Sequence, residues 1–205
     1  MIAEKGFGRS QIQILSALLK IRQVCCHPTL LQVDDVKNQN IESAKLDHLL
    51  QMVQDMVEEG RKILIFSQFT SMLQLIENNL KTLNISTVKL TGQTKKRDEV
   101  ITAFQTGDIP VFLISLKSGG VGLNLTAADT VIHYDPWWNP AAEDQASDRA
   151  WRIGQKKPVF VYKLITNQSI EEKILALQKN KANLTQSILS IDHENEVKLS
   201  EDDVM

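Results

Sequence analysis

Two arginines in the second half of the chain, Arg149 and Arg152, lie close enough in sequence to act on one ligand. In a helix over 139–153 they would share one stripe with Gln145, because helical residues three and four apart are neighbours. Two guanidinium groups on one face repel each other unless an anion or a carboxylate lies opposite. Planar guanidinium groups stabilise the charge on a transferring phosphoryl group. The alternative is a solvated face on which Asp148 pairs with either arginine.

A glycine-rich segment before these arginines is a second candidate anion site. It reads Lys117-Ser118-Gly119-Gly120-Val121-Gly122 and follows an apolar run. Successive glycines let backbone N–H groups converge on an anion, and the lysine and serine add a charge and a hydroxyl. The alternative is a tight turn without a ligand, since short glycine motifs also match by chance.

Polar and aromatic residues follow two other apolar runs. Ser67, Gln68 and Thr70 can cap a helix, or their hydroxyl and amide groups can hold a backbone phosphate. Trp137 and Trp138 follow a later run. They either pack at the edge of the core or face a nucleic-acid groove.

The chain lacks two parts of a self-sufficient nucleotide hydrolase. There is no G-x-x-x-x-G-K-S/T motif, and no acidic pair follows an apolar run. The phosphate cradle and the magnesium ligands are therefore missing, and the arginines would act on a site whose other half lies elsewhere. Cys25-Cys26-His27 has no second Cys or His cluster to complete a metal site, so we predict no metal ligands.

The composition is typical of a soluble globular protein. Of the 205 residues, 42% are hydrophobic and 23% are charged, and no apolar run is long enough to cross a bilayer. We therefore expect no membrane partner. The net charge of -2 argues against a strongly basic nucleic-acid binder but allows a local basic patch. The adjacent cysteines indicate a reduced, intracellular protein. Because the sequence stops within an acidic run, we expect it to be a fragment of a longer protein.

Helical patterns come first, and from residue 60 onward short apolar runs alternate with helical stretches. Helices are predicted over 10–26 and 44–59, with Pro28 ending the first. The strand candidates are Lys62–Ser67, Ser86–Leu90, Val111–Ser115, Thr130–Tyr134 and Val159–Lys163. The helices between them are 70–83, 94–106 and 139–153. Strands that are apolar on both faces and separated by helices predict an α/β fold with a parallel sheet covered on both sides.

Cap residues predict where several helices begin and end. Thr70, Thr94 and Asn139 occupy N-cap positions, and Gly107 and Gly154 occupy C-cap positions. Ser43 can cap the helix over 44–59.

The last part of the chain is predicted to be helical and then frayed. Ser169-Ile170-Glu171-Glu172 reads as a capping box that opens helices over about 169–190. The acidic tail over 192–205 is expected to be disordered.

In an open parallel sheet, ligands bind beyond the carboxyl ends of the strands. The loops that follow Ser67, Leu90, Ser115, Tyr134 and Lys163 should therefore lie along one edge. This edge would bring the glycine-rich segment, the tryptophans and the polar residues after the first strand together.

At these residues the chain resembles the SWI/SNF-type (sucrose-nonfermenting) ATPases of helicase superfamily two, and it looks like their second, C-terminal RecA-like lobe. The resemblance runs from about Ile12 to Ile191. Four blocks carry it: Leu19–Pro28 is similar to the helical block before the lobe, Ile63–Thr70 to motif IV, Ser115–Thr126 to motif V and Gln145–Gln155 to motif VI. The form of 135–141 is most similar to bacterial or archaeal members. Trp151 departs from the family, because many members carry a histidine there.

The resemblance implies a role for each matching residue. Arg149 and Arg152 would be arginine fingers on the γ-phosphate of ATP. The residues that would line or support the same cleft are Gly120, Gly122, Gln145 and Asp148. Those that would contact the DNA backbone are Gln68, Thr70, Lys117, Ser118, Gly119 and Trp138. ATP and Mg²⁺ would be held mainly by a first lobe that this chain does not contain.

The leading hypothesis is therefore the second motor lobe of an ATP-dependent double-stranded DNA translocase or remodeller. Its partners would be double-stranded DNA and the first lobe, and the isolated fragment would be an inactive monomer. It would lie in the bacterial cytoplasm or nucleoid, or in a eukaryotic nucleus. Two alternatives stay open: a catalytically inert DNA- or protein-binding module, and a lobe of a strand-separating helicase.

The predicted domain organisation has four parts. Residues 1–42 form an N-terminal helical segment and linker, and 43–166 form the RecA-like lobe. C-terminal helices follow over 167–191, and the tail over 192–205 ends the chain.

Overall fold

The computed structural model describes residues 2–31, 41–118 and 123–181, with side chains from residue 12 onward. The helices are α1 (Ile2–Cys26), α2 (Ala44–Glu58), α3 (Thr70–Thr82), α4 (Arg97–Thr106), α5 (Pro140–Ser147) and α6 (residues 170–181). A short 3₁₀ turn spans Pro28–Leu30. The strands are β1 (Ile63–Ser67), β2 (Thr87–Leu90), β3 (Val111–Ser115), β4 (Thr130–His133) and β5 (Phe160–Lys163).

The five strands form one sheet in the order β2-β3-β1-β4-β5, and every neighbouring pair is parallel. β1 lies at the centre, where Ile63 pairs with Val111 on one side and Thr130 on the other. All carboxyl ends therefore meet at one edge. The α/β fold with a parallel sheet is confirmed.

Helices cover both faces of the sheet, as predicted. Along β1, Ile63 and Ile65 point to one face, where α2 and α3 pack, while Leu64 and Phe66 point to the other, against α4 and α5. Each of these side chains is fully buried. Burial on both faces explains why β1 and β3 are apolar at every position before their final serines. Each buried aliphatic side chain contributes about 1.5–3 kcal/mol of transfer free energy.

The ends of α2 follow the predicted cap chemistry. The Ser43 Oγ accepts a hydrogen bond from the backbone N–H of Leu46 at 3.4 Å. Beyond the last turn, Gly60 adopts a φ of 75°, and Arg61 N–H bonds back to the carbonyl of Met56 at 3.0 Å. A left-handed residue at this position favours glycine because other side chains are strained there.

Two other N-cap predictions are wrong. Thr70 is the first residue of α3, and Phe69 is its N-cap without a side-chain hydrogen bond. Thr94 lies three residues before the start of α4. Its Oγ1 instead accepts from the N–H of Thr91 at 2.9 Å and closes a turn. A threonine hydroxyl stabilises such a turn as readily as a helix end, and the sequence does not distinguish the two uses.

The helix predicted over 139–153 begins as expected but ends early. Asn139 Oδ1 accepts from the N–H of Ala141 at 3.3 Å, and Pro140 occupies the first helical position. However, α5 ends at Ser147 and the chain continues in turns to Gly154. The prediction of one helical stripe through both arginines is therefore wrong.

Tertiary hydrogen bonds explain this early end. The carbonyl of Arg149, which a longer helix would use internally, accepts from the N–H of Leu125 at 2.9 Å. The Gln155 side-chain amide donates to the carbonyls of Thr126, Ala128 and Ala150 at 2.7–3.1 Å. These bonds fix the turn against the loop before β4 and compete with helix continuation.

The edge strand β5 is more exposed than the other strands. It starts at Phe160, one residue later than predicted, and Phe160 and Val161 are each 47% exposed. The guanidinium of Arg61 lies 4.6 Å from the ring of Phe160 and 3.4 Å from the carboxylate of Asp129. This contact lies at the amino-terminal edge of the sheet, opposite the candidate site.

The C-terminal helix is confirmed over 170–181, and its continuation to residue 190 and the tail lie outside the described residues. Ser169 Oγ accepts from the N–H of Glu171 at 3.1 Å. Glu171 is buried, accepts from Thr166 N–H at 2.7 Å and pairs with Lys45 at 2.7 Å. Glu172, which the capping-box prediction used, is exposed. The ion pair explains the difference, since it holds α6 against α2.

Candidate functional site

Four residues predicted to contact a nucleic-acid backbone line one groove at the carboxyl edge of the sheet. They are Gln68, Thr70, Lys117 and Ser118. The groove has a volume of about 690 Å³ and is called the strand-end groove below. Its other lining residues are Ser71, Gln74, Lys89, Thr91, Gly92, Gln93 and Ser115. A second groove of about 650 Å³, lined by residues such as Lys81 and Asn84, contains none of the predicted site residues.

The strand-end groove is lined by polar groups that can donate to phosphate oxygens. The side chain of Gln68 lines the groove, with its amide nitrogen enclosed and close enough to Asp135 to stabilise that carboxylate. Lys117 is exposed, and Ser118 Oγ lies 3.1 Å from Ser115 Oγ. Lys89, in contrast, donates to Gln74 Oε1 at 2.6 Å. An exposed ammonium, a side-chain amide and hydroxyls can together bind phosphate oxygens.

Arg149 is buried on the face of the sheet covered by α4 and α5. Its side chain is only 6% exposed, and its guanidinium lies 5.7 Å from the ring centroid of Phe66 on β1. Its Nη1 has no hydrogen-bond partner among the residues that the structure describes. A buried charged nitrogen without a partner is costly, so such groups are commonly completed by a ligand.

The positive charges of two further arginines act on Arg149. Burial, together with the charges of Arg152 and Arg97, lowers the pKa of Arg149 to about 10. Arg152 is exposed, and Arg97 Nη2 donates to the carbonyl of Ser118 at 2.5 Å. Three cations that destabilise one another can be stabilised by an anion placed between them.

The other residues predicted for the nucleotide cleft are placed differently. Gln145 lies on α5 and Asp148 caps its end, and both side chains are exposed. Among the described residues, Asp148 forms no ion pair with either predicted arginine finger. Gly119, Gly120 and Gly122 lie outside the described residues.

Trp138 lies over an arginine that the sequence analysis missed. Arg22, on α1, is 5% exposed, and its guanidinium lies 5.2 Å from the Trp138 ring, 5.5 Å from Trp137 and 6.0 Å from Phe69. Its Nη2 donates to the carbonyl of Pro136 at 2.7 Å. We call this group of five residues the Arg22 cage.

The sequence did contain a weak signal for Arg22. Leu18, Arg22 and Cys26 are four residues apart and therefore share a helical face. A single cation between apolar residues on one helical stripe indicates a buried position with a specific partner. Cys26 is fully buried, and both cysteines are free thiols, as predicted.

A buried carboxylate joins the ends of β1 and β4. Asp135 Oδ1 accepts from Ser67 Oγ at 2.5 Å, and its Oδ2 accepts from the N–H of Gln68 at 3.4 Å. Burial raises the pKa of the Asp135 carboxyl, while the Ser67 hydrogen bond and Lys45 oppose that shift. Asp135 therefore holds Gln68 through its backbone N–H and through its side-chain amide.

A second buried network contacts the loop after β4, which carries Trp137 and Trp138. The fully buried Glu143 accepts from the N–H of Trp137 at 2.6 Å and from Gln178 at 2.9 Å, and it pairs with Lys163 at 2.6 Å. Its sequence position in the first turn of a helix indicated only a dipole interaction. The structure instead makes it a link between α5, β5 and α6.

His133 contacts the same aromatic ring as Arg149, that of Phe66. Its ring stacks on Phe66 with centroids 5.5 Å apart, and its Nε2 lies 3.0 Å from Ser147 Oγ. Burial lowers the pKa of His133 to about 4, with Glu143 opposing and Lys163 adding to the shift. The imidazole is therefore neutral at physiological pH and adds no positive charge beside Phe66.

The described ranges contain no group of His, Cys, Asp and Glu residues arranged to hold a metal ion. They also contain no helix that is both long and apolar enough to span a bilayer.

Comparison with known proteins places these features in a family. The model of the helicase conserved C-terminal domain matches residues 44–154, which is more than half of the chain. The putative ATP-dependent helicase/translocase YwqA of Bacillus subtilis is 41% identical over 92% of this chain and 21% of its own length. The ISWI chromatin-remodeling complex ATPase ISW1 of Saccharomyces cerevisiae is 36% identical over 90% of this chain and 17% of its own length. The chain thus spans about a fifth of these relatives.

A solved structure agrees with this assignment. The Sulfolobus solfataricus SWI2/SNF2 ATPase core in complex with double-stranded DNA superposes with a TM-score of 0.68 at 39% identity. The match covers 91% of this chain and 40% of that chain. The resemblance to the SWI/SNF-type lobe is confirmed, whereas bacterial or archaeal origin stays a prediction. The chain belongs to the helicase conserved C-terminal domain family and is a RecA-like lobe of the SWI/SNF type.

Proposed function

We propose that this chain is the second motor lobe of an ATP-dependent double-stranded DNA translocase or remodeller. It would supply Arg149 and Arg152 to the γ-phosphate of an ATP held mainly by a first lobe. The observation that carries the proposal is the buried guanidinium of Arg149, whose Nη1 has no partner among the described residues. Arg152 and Arg97 add like charge that destabilises this guanidinium, so an anion would stabilise the site.

A triphosphate fits this site better than a carboxylate does. Three guanidinium groups provide more donors and more positive charge than one carboxylate neutralises. In phosphoryl transfer, negative charge is spread over the equatorial oxygens of the transferring group, where planar donors stabilise it. Arg149 and Arg152 would provide this stabilisation when the two lobes close. Mg²⁺, held with the phosphates by the first lobe, would neutralise charge between the β- and γ-phosphates.

The strand-end groove is the proposed track for DNA. Gln68 offers a side-chain amide in the groove wall, Lys117 an exposed ammonium, and Thr70 and Ser118 offer hydroxyls. Contacts of this kind position a protein on the phosphate backbone and carry no sequence information. Trp138 would lie at the margin of this track. Relatives named as helicase/translocase and chromatin-remodelling ATPases support double-stranded DNA as the partner.

The two sites lie close enough in the fold to be coupled. Ser118 lines the groove and its carbonyl accepts from Arg97, which lies electrostatically beside Arg149. We therefore infer that binding and release of the triphosphate shift Lys117 and Ser118 through Arg97. Opening and closing of the cleft would then move the groove along the phosphates of one strand. The domain boundaries, the fragment's monomeric state and its localisation remain predictions.

DNA-stimulated ATP hydrolysis by the full-length protein tests the proposal. Arg152→Ala should reduce kcat by about 10³-fold or more, the range measured for arginine fingers. Lys156→Ala is the matched control, because Lys156 is an exposed cation four residues further along and should leave kcat unchanged. The isolated 205-residue chain should show no DNA-stimulated hydrolysis. Turnover by the isolated chain that disappears in Arg152→Ala would contradict the proposal.

A further inference from the structure

The Arg22 cage connects α1 to two loops that carry proposed DNA contacts. Phe69 belongs to the loop after β1, directly beside Gln68, while Trp137 and Trp138 belong to the loop after β4. The Arg22 guanidinium lies within 6.0 Å of all three ring centroids. A single side chain from α1 therefore fixes the spacing between the two loops.

The chemistry of the cage requires an arginine. Its planar cation can face several aromatic rings while one nitrogen donates to the Pro136 carbonyl at 2.7 Å. A lysine carries the charge but has neither the planar surface nor the same fork of donors. The nearby carboxylate of Asp135 favours the charged form of Arg22 electrostatically and opposes the pKa-lowering effect of burial.

Gln68 is fixed on both sides by these contacts. Its own N–H donates to Asp135, which also accepts from Ser67, and the next residue, Phe69, lies in the cage. The side chain of Gln68 lines the strand-end groove, and its amide lies close enough to Asp135 to stabilise that carboxylate. The cage and Asp135 therefore fix the position of Gln68 in the wall of the groove.

The last turn of α1 is attached to the same edge of the sheet. Tyr134 Oη donates to the carbonyl of Cys26 at 2.8 Å, and Thr166 Oγ1 donates to the carbonyl of Cys25 at 3.1 Å. Further back along α1, apolar side chains are exposed: Ile12 by 70%, Leu15 by 65% and others on the same stretch. Within the described side chains, α1 is thus fixed to the sheet at its carboxyl end and largely uncovered before it.

We propose that Arg22 is a positioning residue that couples α1 to the DNA-contacting loops. It holds Phe69 and Trp138 at a fixed separation, and it thereby fixes Gln68 in the wall of the groove. A displacement of α1 would then be transmitted to the grip on the phosphate backbone. This inference rests on the proposed function, because it assumes that the strand-end groove binds DNA.

The test compares two arginines that lie against aromatic rings at opposite edges of the sheet. In the full-length protein, Arg22→Met should raise the DNA concentration for half-maximal ATPase stimulation about tenfold, within the 0.5–2 kcal/mol range of such coupling. The value of kcat at saturating DNA should change much less, because the arginine fingers are untouched. Arg61→Met, which removes the contact with Phe160, should leave DNA half-saturation unchanged. Arg22→Lys should fall between the wild type and Arg22→Met.

Tryptophan fluorescence reports whether the cage itself has changed. Two of the three tryptophans of the chain lie in the cage, so Arg22→Met should alter the emission spectrum while Arg61→Met should not. If Arg22→Met does not fold, Arg22→Lys decides the question by the same DNA titration. A folded Arg22→Lys or Arg22→Met protein with wild-type half-saturation overturns the inference.

Matched variants of the groove separate this inference from the proposed function. Gln68→Ala and Lys117→Ala should both weaken DNA stimulation if the groove binds DNA. If they do so while the Arg22 variants behave as the wild type, only the coupling by Arg22 is wrong. If neither groove variant affects DNA stimulation, the proposed DNA track is wrong, and the inference is overturned with it.

Discussion

Arg22 and Arg149 are buried to nearly the same degree, at 5% and 6% exposure, but their surroundings are opposite. Arg22 has a carbonyl acceptor, three aromatic rings and a nearby carboxylate. Arg149 has one aromatic ring, an Nη1 without a partner in the described part of the chain, and two neighbouring arginines. Residue type and burial alone therefore do not reveal what a buried arginine does.

The difference indicates that Arg22 stabilises the fold, whereas the charged form of Arg149 is destabilised by its surroundings. For Arg22, burial lowers the pKa but the neighbouring acidic groups oppose that shift, Asp135 most of all. For Arg149, burial and both neighbouring charges act in the same direction. An ionisable group that its surroundings destabilise is a candidate for ligand binding or catalysis.

The largest expected effect is the opposite response of activity and stability to Arg149→Met. In the full-length protein, DNA-stimulated kcat should fall by about 10³-fold, because a phosphoryl-transfer site loses a guanidinium. The free energy of unfolding in the absence of nucleotide should stay constant or rise, because a buried cation without a partner is removed. Steady-state ATPase assays and urea denaturation measure the two quantities. A large loss of both would indicate that Arg149 is mainly structural.

A second prediction concerns His133, whose ring stacks on Phe66, the ring that Arg149 also contacts. Its pKa is lowered from 6.5 to about 4, so the unfolded chain takes up a proton at a higher pH than the folded chain does. The histidine's contribution is therefore fully present above pH 6.5 and is lost as the pH falls toward 4. The loss should reach about 3 kcal/mol of unfolding free energy.

Urea denaturation between pH 7 and pH 4, compared with His133→Phe, isolates this contribution. Phenylalanine preserves the stack on Phe66 but does not titrate, so the variant should show a flatter pH dependence. The charged groups that face His133 are Glu143 and Lys163, and both are present in the two proteins. Equal slopes in the two proteins would show that His133 is not the titrating group.

The sheet and several helix ends follow from local sequence. The apolar runs of β1 and β3 are fully buried, and the caps at Ser43 and Asn139 are formed. The predicted extension of α5 failed because its competitor is tertiary: Leu125 and Gln155 form hydrogen bonds that no local pattern encodes.

The candidate site was only partly predictable for the same reason. The residue types in motif VI indicate phosphate chemistry, but burial of Arg149 against Phe66 depends on the packed sheet. Arg22 was missed because its hydrogen-bond acceptor, Pro136, lies 114 residues further along the chain. Its helical stripe gives no information about a partner at that distance.

The smallest expected effect is a loss of stability on replacing Arg22, the other buried arginine of the comparison. Arg22→Met should lower the free energy of unfolding by about 2 kcal/mol, because it removes a charged hydrogen bond and a desolvated cation–π contact. Arg61→Met should cost less, since Arg61 is only partly buried and faces one ring and one carboxylate. Urea denaturation of Arg22→Met, Arg61→Met and Arg149→Met ranks the three variants by their free energies of unfolding. If Arg22→Met is no less stable than Arg149→Met, partners do not distinguish the two arginines and the comparison fails.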